Sequence, residues 1–462
     1  MNTIVLAMRN LLRNRRRSLT TLLAMIIGTN AILLFGGYSR NINYGLQTGF
    51  VQRSGHLQIH HKDYFLYGSG NPSAYGIADY QKIMEVVQRD PVMAPMVTVA
   101  TPTLQVSGIA GNFAVGISRT VIGSGVMVEG QNRLREWNDY DFPMRVAPFA
   151  LTGTDPDAAV IGTGVARVLQ LCGALNVKNC PQAPAQRDSG GADIPNDIAA
   201  LSNQGQPDSA ASSKTRIELL ASNSNGAPNV VGLNVVKAAN QGVKELDDIY
   251  IALHLPTAQK LVYGRAAPQV TAIVLQLQHT AQMPAAKARL EQLMATTFKG
   301  QALEVQEFTT LNPSYGQITG MFAAIFSFIS LLIGAIVLFT VGNTMSMAVM
   351  ERTVEIGTLR AIGLRRSGIK RLFVSEGILL GVIGAVIGVA IAIALAAALN
   401  QSGLTWTPPG QIDPSPLRIS VWGETKMILI SALILIKVST LSAWWPARRA
   451  AGMNVVDALR HV

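Results

Sequence analysis

Four stretches of this chain stay apolar long enough to cross a bilayer, which takes roughly 20 predominantly apolar residues. They cover 18–40, 318–350, 372–399 and 427–447. At about 1.5 Å per residue the second would reach about 50 Å, past a hydrocarbon core of roughly 30 Å. It therefore predicts a helix that projects beyond the membrane. Ahead of the first span, residues 1–17 predict an amphipathic helix lying on the membrane surface. Ile4, Met8 and Leu11 fall at i, i+4 and i+7, while Arg9, Arg13 and Arg16 repeat the same spacing on another face.

Between the first two spans the pattern changes. Short β-rich or alternating runs appear at 56–60, 96–106, 113–122, 248–253 and 271–277, separated by helical periodicity at 78–88, 162–171, 257–263 and 285–297. The 41–317 segment thus reads as a large α+β domain in two lobes. Residues 181–213 hold Pro, Gln, Ser, Gly, Asp and Ala with almost no large apolar side chains, and read as a flexible surface insertion. The loop 400–426 contains Thr407-Pro408-Pro409-Gly410 and Asp413-Pro414-Ser415-Pro416, which predicts stiff, extended segments. The fold class expected is a membrane protein with four transmembrane α-helices and a large α+β extracytoplasmic domain between helices 1 and 2.

Charge supplies the orientation. Residues 1–17 carry five Arg and no acid, 351–371 six Lys or Arg against two Glu, and 448–462 three Arg against one Asp. Those patches account for the whole net charge of +11, so the remainder of the chain is close to neutral. Basic clusters beside apolar spans mark the cytoplasmic side, whereas the same charge spread over a soluble surface would have pointed to nucleic acid. Both termini and the 351–371 segment are expected in the cytoplasm, with 41–317 outside. An Arg-rich start before an apolar run also resembles a signal peptide. No clear cleavage pattern follows Gly28, so the run reads as an uncleaved anchor.

Candidate chemistry is sparse. The chain lacks G-x-x-x-x-G-K-[ST], H-E-x-x-H and G-x-S-x-G, so neither its own ATP hydrolysis nor a familiar hydrolase site is expected. Cys172 and Cys180, the two cysteines, read as a disulfide closing a short loop, with two free thiols as the alternative. No metal site is expected. His56, His60 and His61 read as an ordinary strand surface. Two charges fall inside spans away from their ends: Glu376 and Lys437, for which an interhelical pair is the expected role.

The segment after the second span is richer. Glu351 and Glu355 stand one helical turn apart, beside Arg352, while Gly357 and Gly363 are expected to break or turn the chain. The apolar residues fall on no single stripe, which suits a docking surface for a cytoplasmic partner. A topogenic loop with solvated charges is the alternative.

Three stretches resemble the permease subunits of the ABC transporter superfamily that includes MacB, FtsX and the lipoprotein-releasing Lol subunits. They are Glu351-Arg352 through Glu355-Ile356-Gly357 to Arg360-Ala361-Ile362-Gly363, with Glu376-Gly377 beyond; Pro446-Ala447-Arg448-Arg449 with Asp457-Ala458-Leu459-Arg460; and Arg9-Asn10-Leu11-Leu12-Arg13-Asn14. The resemblance implies that Glu351, Arg352, Glu355 and Arg360 contact a separate cytoplasmic ATPase, shaped by Gly357 and Gly363. Arg448, Arg449 and Arg460 would face the same side. It implies a non-enzymatic permease in a bacterial inner membrane, with ATP and Mg bound by the partner and a second permease subunit completing a homo- or heterodimer. Mechanical coupling would extract or export a lipoprotein or other lipophilic cargo, and a periplasmic partner is a further expectation. Tripartite efflux of drugs or peptides, and FtsX-like regulation of a cell-wall hydrolase, are the alternatives. No nucleic-acid partner is expected.

Overall fold

The computed structural model describes residues 3–13, 15–68, 71–113, 115–141, 146–178, 180, 215–406 and 415–455. The expected insertion at 181–213, Arg460 and the Asp457-Ala458-Leu459 stretch lie outside them. Helices of eight residues or more are α1 (Thr3–Arg13), α2 (Arg15–Ser54), α3 (Tyr80–Arg89), α4 (Val128–Arg135), α5 (Leu255–Tyr263), α6 (Met283–Thr296), α7 (Pro313–Glu351), α8 (Thr353–Ala361), α9 (Arg366–Gln401) and α10 (Thr425–Gly452). The strands are β1 (Leu57–His61), β2 (Val97–Asn112), β3 (Ile117–Val126), β4 (Ala158–Gly162), β5 (Arg216–Ser222), β6 (Pro228–Ala239), β7 (Tyr250–His254), β8 (Ala272–Leu277) and β9 (Leu303–Glu307), with a two-residue pair at Thr405–Trp406 and Ser415–Pro416.

The chain divides into a helical bundle, containing the described parts of 1–45, 314–406 and 415–462, and an inter-span domain over 46–313. In the bundle, α2, α7, α9 and α10 are each long and apolar enough to cross a membrane. This is a multi-pass membrane protein. The helices outrun the apolar stretches that predict them: α2 has 40 residues and α7 has 39. What lets α9 approach its neighbours is a line of glycines at i, i+4, i+7 and i+11. A Cβ on Gly377 would lie 2.5 Å from the Ala443 Cβ, and one on Gly388 would lie 2.6 Å from the Thr29 Cβ. The Ser439 hydroxyl uses that closeness, donating to the Gly377 carbonyl at 2.7 Å. Small residues at helix contacts are the usual route to tight packing in lipid, where no hydrophobic force draws helices together.

In the inter-span domain, β2 is the organising strand. Its first part pairs antiparallel with β8, and its second with β3 and β5. Pairings β2–β3–β7–β4–β6–β5 return to β2 and form a closed cycle of six strands, while β8, β1 and β9 extend from it as an open sheet. The β3–β7 and β4–β6 pairs are parallel. These are the two lobes of an α+β domain, sharing β2 and one apolar core that takes in Leu104, Ile161, Leu219, Leu253 and Leu275.

His56 and His60 overturn the expected strand surface. Both are buried, at 0% and 5% exposure. The His56 Nδ1 accepts from the Leu277 amide at 3.0 Å, leaving Nε2–H to meet the Thr280 hydroxyl at 3.1 Å, and the ring stands edge-on to Trp137. His60 stacks on Tyr64. Burial pushes each imidazole down to about 4. The structure also joins Cys172 and Cys180 in a disulfide, with Cα atoms 6.3 Å apart.

Candidate functional site

The bundle's basic end gathers α1, the end of α7, α8, the start of α9 and the end of α10. An apolar cluster of Val349, Ile356, Ile369, Phe373, Ala447 and Ala450 holds it together. Within this end, α1 turns Ala7 fully inward with Asn10 and Leu11 beside it, while Val5, Met8 and Leu12 remain exposed. The apolar face left open is thus shifted from the predicted stripe, and Arg16 belongs to α2. The second correction follows from α1 ending at Arg13; the first follows from the side of α1 that packs inward at Ala7.

At the centre is a buried polar node. Asn10 Nδ2 donates to Glu376 Oε1 at 2.7 Å, and Arg352 Nη1 donates to the same oxygen at 3.0 Å. Arg352 Nη2 reaches back to the Asn10 carbonyl at 3.3 Å. Three elements, α1, the residue preceding α8, and α9, are thereby tied by one carboxylate. The expected Glu376–Lys437 pair does not form. Lys437 lies on the exposed side of α10, two positions from Ser439, and two residues on a helix point about 200° apart.

Arg352 is consequently no surface contact, being only 6% exposed. Arg360 is also engaged internally, donating from Nη1 to the Met453 carbonyl just past α10. Glu351 and Glu355 remain half exposed, but both have partners. Arg17 pairs with Glu351, and Arg13 Nη2 lies 2.5 Å from Glu355 Oε1. Gly357 does not break the chain; it sits buried inside α8. Gly363 does end it, at φ +101°, with the Leu364 amide donating to Leu359 O at 3.0 Å and the Gly363 amide to Arg360 O at 3.1 Å. That pairing is a Schellman stop, whose left-handed position favours glycine.

Along α8 and its two flanks an open mixed strip remains: Met350 at the end of α7, Val354 on α8 and Ile362 just past it are 72%, 47% and 80% exposed, with Glu355 between them. Beside it a cleft of about 350 Å³ runs between Leu6, Arg13, Glu355, Leu359 and Phe373. On α10, Arg448 and Arg449 are helical rather than part of a tail. Their guanidinium carbons lie 5.6 Å from the ring centroids of Trp444 and Trp445, and the Lys370 ammonium stands 5.0 Å from the Trp444 ring. Aromatic rings flanked by cations are typical of a membrane–water boundary.

Sequence reasoning missed two things here. Asn10 was legible as a polar residue on the inner side of an amphipathic helix, one turn beyond Ala7. The glycine line on α9 was legible as a small-residue spacing.

Residues 324–455 match the family model of the FtsX-like permease C-terminal domain, so α7 through α10 form an FtsX-like permease domain. Among individual relatives, the macrolide export ATP-binding/permease protein MacB of Rhodopirellula baltica is 28% identical over 35% of this chain and 21% of its own. The ABC transporter permease YtrF of Bacillus subtilis is 36% identical over 29% of this chain and 30% of its own. The lipoprotein-releasing system transmembrane protein LolC of Neisseria meningitidis is 27% identical over 34% of this chain and 36% of its own. The match thus spans between about a fifth and a third of these relatives.

Proposed function

We propose that this chain is the permease subunit of an ABC transporter in a bacterial inner membrane, driven by a separate ATPase that binds ATP and Mg. The observation that carries the reading is the treatment of α8. Its inner side is fixed to α1, α9 and the end of α10 through Arg352 just ahead of it, Glu376 and Arg360, while Val354 and Glu355, with Met350 and Ile362 on its flanks, stay outward. A short helix pinned on one side and open on the other transmits a push to the spans rather than yielding to it. In this reading the basic end is cytoplasmic and the inter-span domain is periplasmic, as the charge distribution favours. A second permease subunit, identical or not, completes the unit.

For cargo, a lipoprotein or other lipophilic molecule taken from the periplasmic side is the favoured reading, supported by the relative named for lipoprotein release. Efflux of a small molecule is the second reading, favoured by the relative named for macrolide export.

The coupling test must separate docking from the internal Arg13–Glu355 pair. Exposed pairs contribute only about 0–1 kcal/mol, so breaking this one leaves the fold intact. The purified permease–ATPase complex is assayed for ATP hydrolysis with Glu355→Lys, with Ile362→Arg, and with the exchange Arg13→Glu plus Glu355→Arg. Docking through this strip predicts loss in all three, including the exchange that restores the internal pair. Full hydrolysis in the exchange and in Ile362→Arg would remove the strip from the coupling path. For orientation, a tag at residue 200 should be reached only from the periplasm; cytosolic access would invert the scheme.

A further inference from the structure

The inter-span domain contains a cleft of about 460 Å³ whose described lining residues include two arginines and no acidic side chain. Arg53 comes from the last turn of α2 and Arg135 from the end of α4; Tyr250, opening β7, lines the same space. Among the described residues, neither guanidinium has a carboxylate within 4 Å. Elsewhere in the domain cations do find carboxylates: Arg289 meets Asp90 at 2.6 Å, Lys287 meets Glu307 at 2.8 Å, and Arg89 meets Glu85 at 2.7 Å.

Among the described residues Arg135 is held by ring stacking, with no hydrogen-bond partner for its edge donors. Its guanidinium carbon lies 4.7 Å from the Phe149 ring centroid, and among the described residues the Arg53 Nη2 makes a long contact of 3.5 Å to the Gln241 carbonyl. Burial and the neighbouring Arg53 charge both press the Arg135 guanidinium downward from its ordinary value. Both arginine charges in turn pull against the upward shift that burial gives the Tyr250 phenol. The three groups therefore share one electrostatic field. Arg135 is partly buried and Arg53 exposed at the rim; the two like charges repel, and a planar fork on an aromatic face presents parallel N–H donors at the spacing of two oxygens. The apolar walls at Val126 and Val146 leave room for a small organic body, and the volume falls within the roughly 300–1,000 Å³ of ligand sites.

We propose that this cleft binds an oxyanion, a phosphate or carboxylate group, between Arg53 and Arg135. The inference stands on the inter-span domain alone and does not depend on the transporter reading.

The test uses the full chain in phosphatidylcholine nanodiscs, titrated calorimetrically with inorganic phosphate, dihexanoyl phosphatidic acid, octanoate and octanol. Saturable binding of at least one anion and none of octanol is expected. Phosphatidic acid tighter than free phosphate assigns a lipid-borne group; phosphate alone assigns the free ion; octanoate assigns a carboxylate. Arg53→Gln and Arg135→Gln should each weaken binding at least tenfold, while Arg89→Gln, on α3, should not. Arg53→Gln keeps the test open if the more buried Arg135 variant misfolds. No saturable anion binding to the folded chain would overturn the proposal, as would affinity unchanged in Arg53→Gln.

Discussion

Arg352 and Glu376 stand 24 residues apart in the chain and meet at 3.0 Å, with 7% and 2% of their side chains exposed. The pair fixes where α8 begins relative to α9, and Asn10 locks α1 to the same oxygen.

Removing one member of a buried pair leaves an uncompensated charge, which costs about 3–5 kcal/mol. Glu376→Gln and Arg352→Ala are each expected to destabilise the bundle by that order, read by unfolding of the purified chain in mild detergent. Arg352→Met combined with Glu376→Leu should recover most of the loss, because no lone charge remains. A double variant as unstable as either single one would show that the node's value lies in the ionic contact itself.

Lys437 supplies the contrast. It is exposed and, among the described residues, has no ion-pair partner. Lys437→Met is expected not to lower stability to unfolding, because no contact within the chain is lost and an outward charge inside a span is costly to keep there. A loss comparable to Glu376→Gln would place Lys437 in a contact the bundle needs.

The glycine line predicts a position-dependent response to one methyl group. Gly377→Ala and Gly388→Ala must push against Ala443 and Thr29, and overpacking costs about 1–3 kcal/mol. Gly334→Ala, on α7, meets nothing within 4 Å and should be neutral or slightly stabilising. Equal melting behaviour of all three would mean that α9 does not approach its neighbours so closely.

The buried histidines set a pH dependence. Folding lowers His56 and His60 from 6.5 to about 4, so between those values the unfolded chain holds more protons. Stability of the inter-span domain is therefore full above pH 6.5 and falls as pH drops toward 4. The loss amounts to several kcal/mol, because each tenfold change in proton affinity is worth about 1.4 kcal/mol. Unfolding followed from pH 7 to pH 4 checks the slope. His56→Gln should flatten it; an identical slope would assign the effect to His60 or to other groups.

Much of the inter-span domain was readable from periodicity, and the failures have causes. Ala158–Gly162 is buried along its whole length, so β4 shows no alternation and is too short to separate from a helical fragment. β5 does alternate, with Ile217, Leu219 and Ala221 inward against Arg216 and Glu218, but it directly follows a polar stretch that masks its start. His56 and His60 were misread because a polar ring gives no sign of whether hydrogen-bond partners wait inside.

The linear sequence determined how many spans this protein has, where they lie and which end of them is basic. Those are sums over consecutive residues, and transfer into lipid depends on the sum. Which charges meet was left to the tertiary structure. Glu376 and Lys437 are the charges that hydropathy picks out inside the spans, yet helix rotation turns one into the node and the other outward. That rotation is set by how closely α9 packs through Gly377 and Gly388, a property of facing surfaces that no single stretch of chain contains.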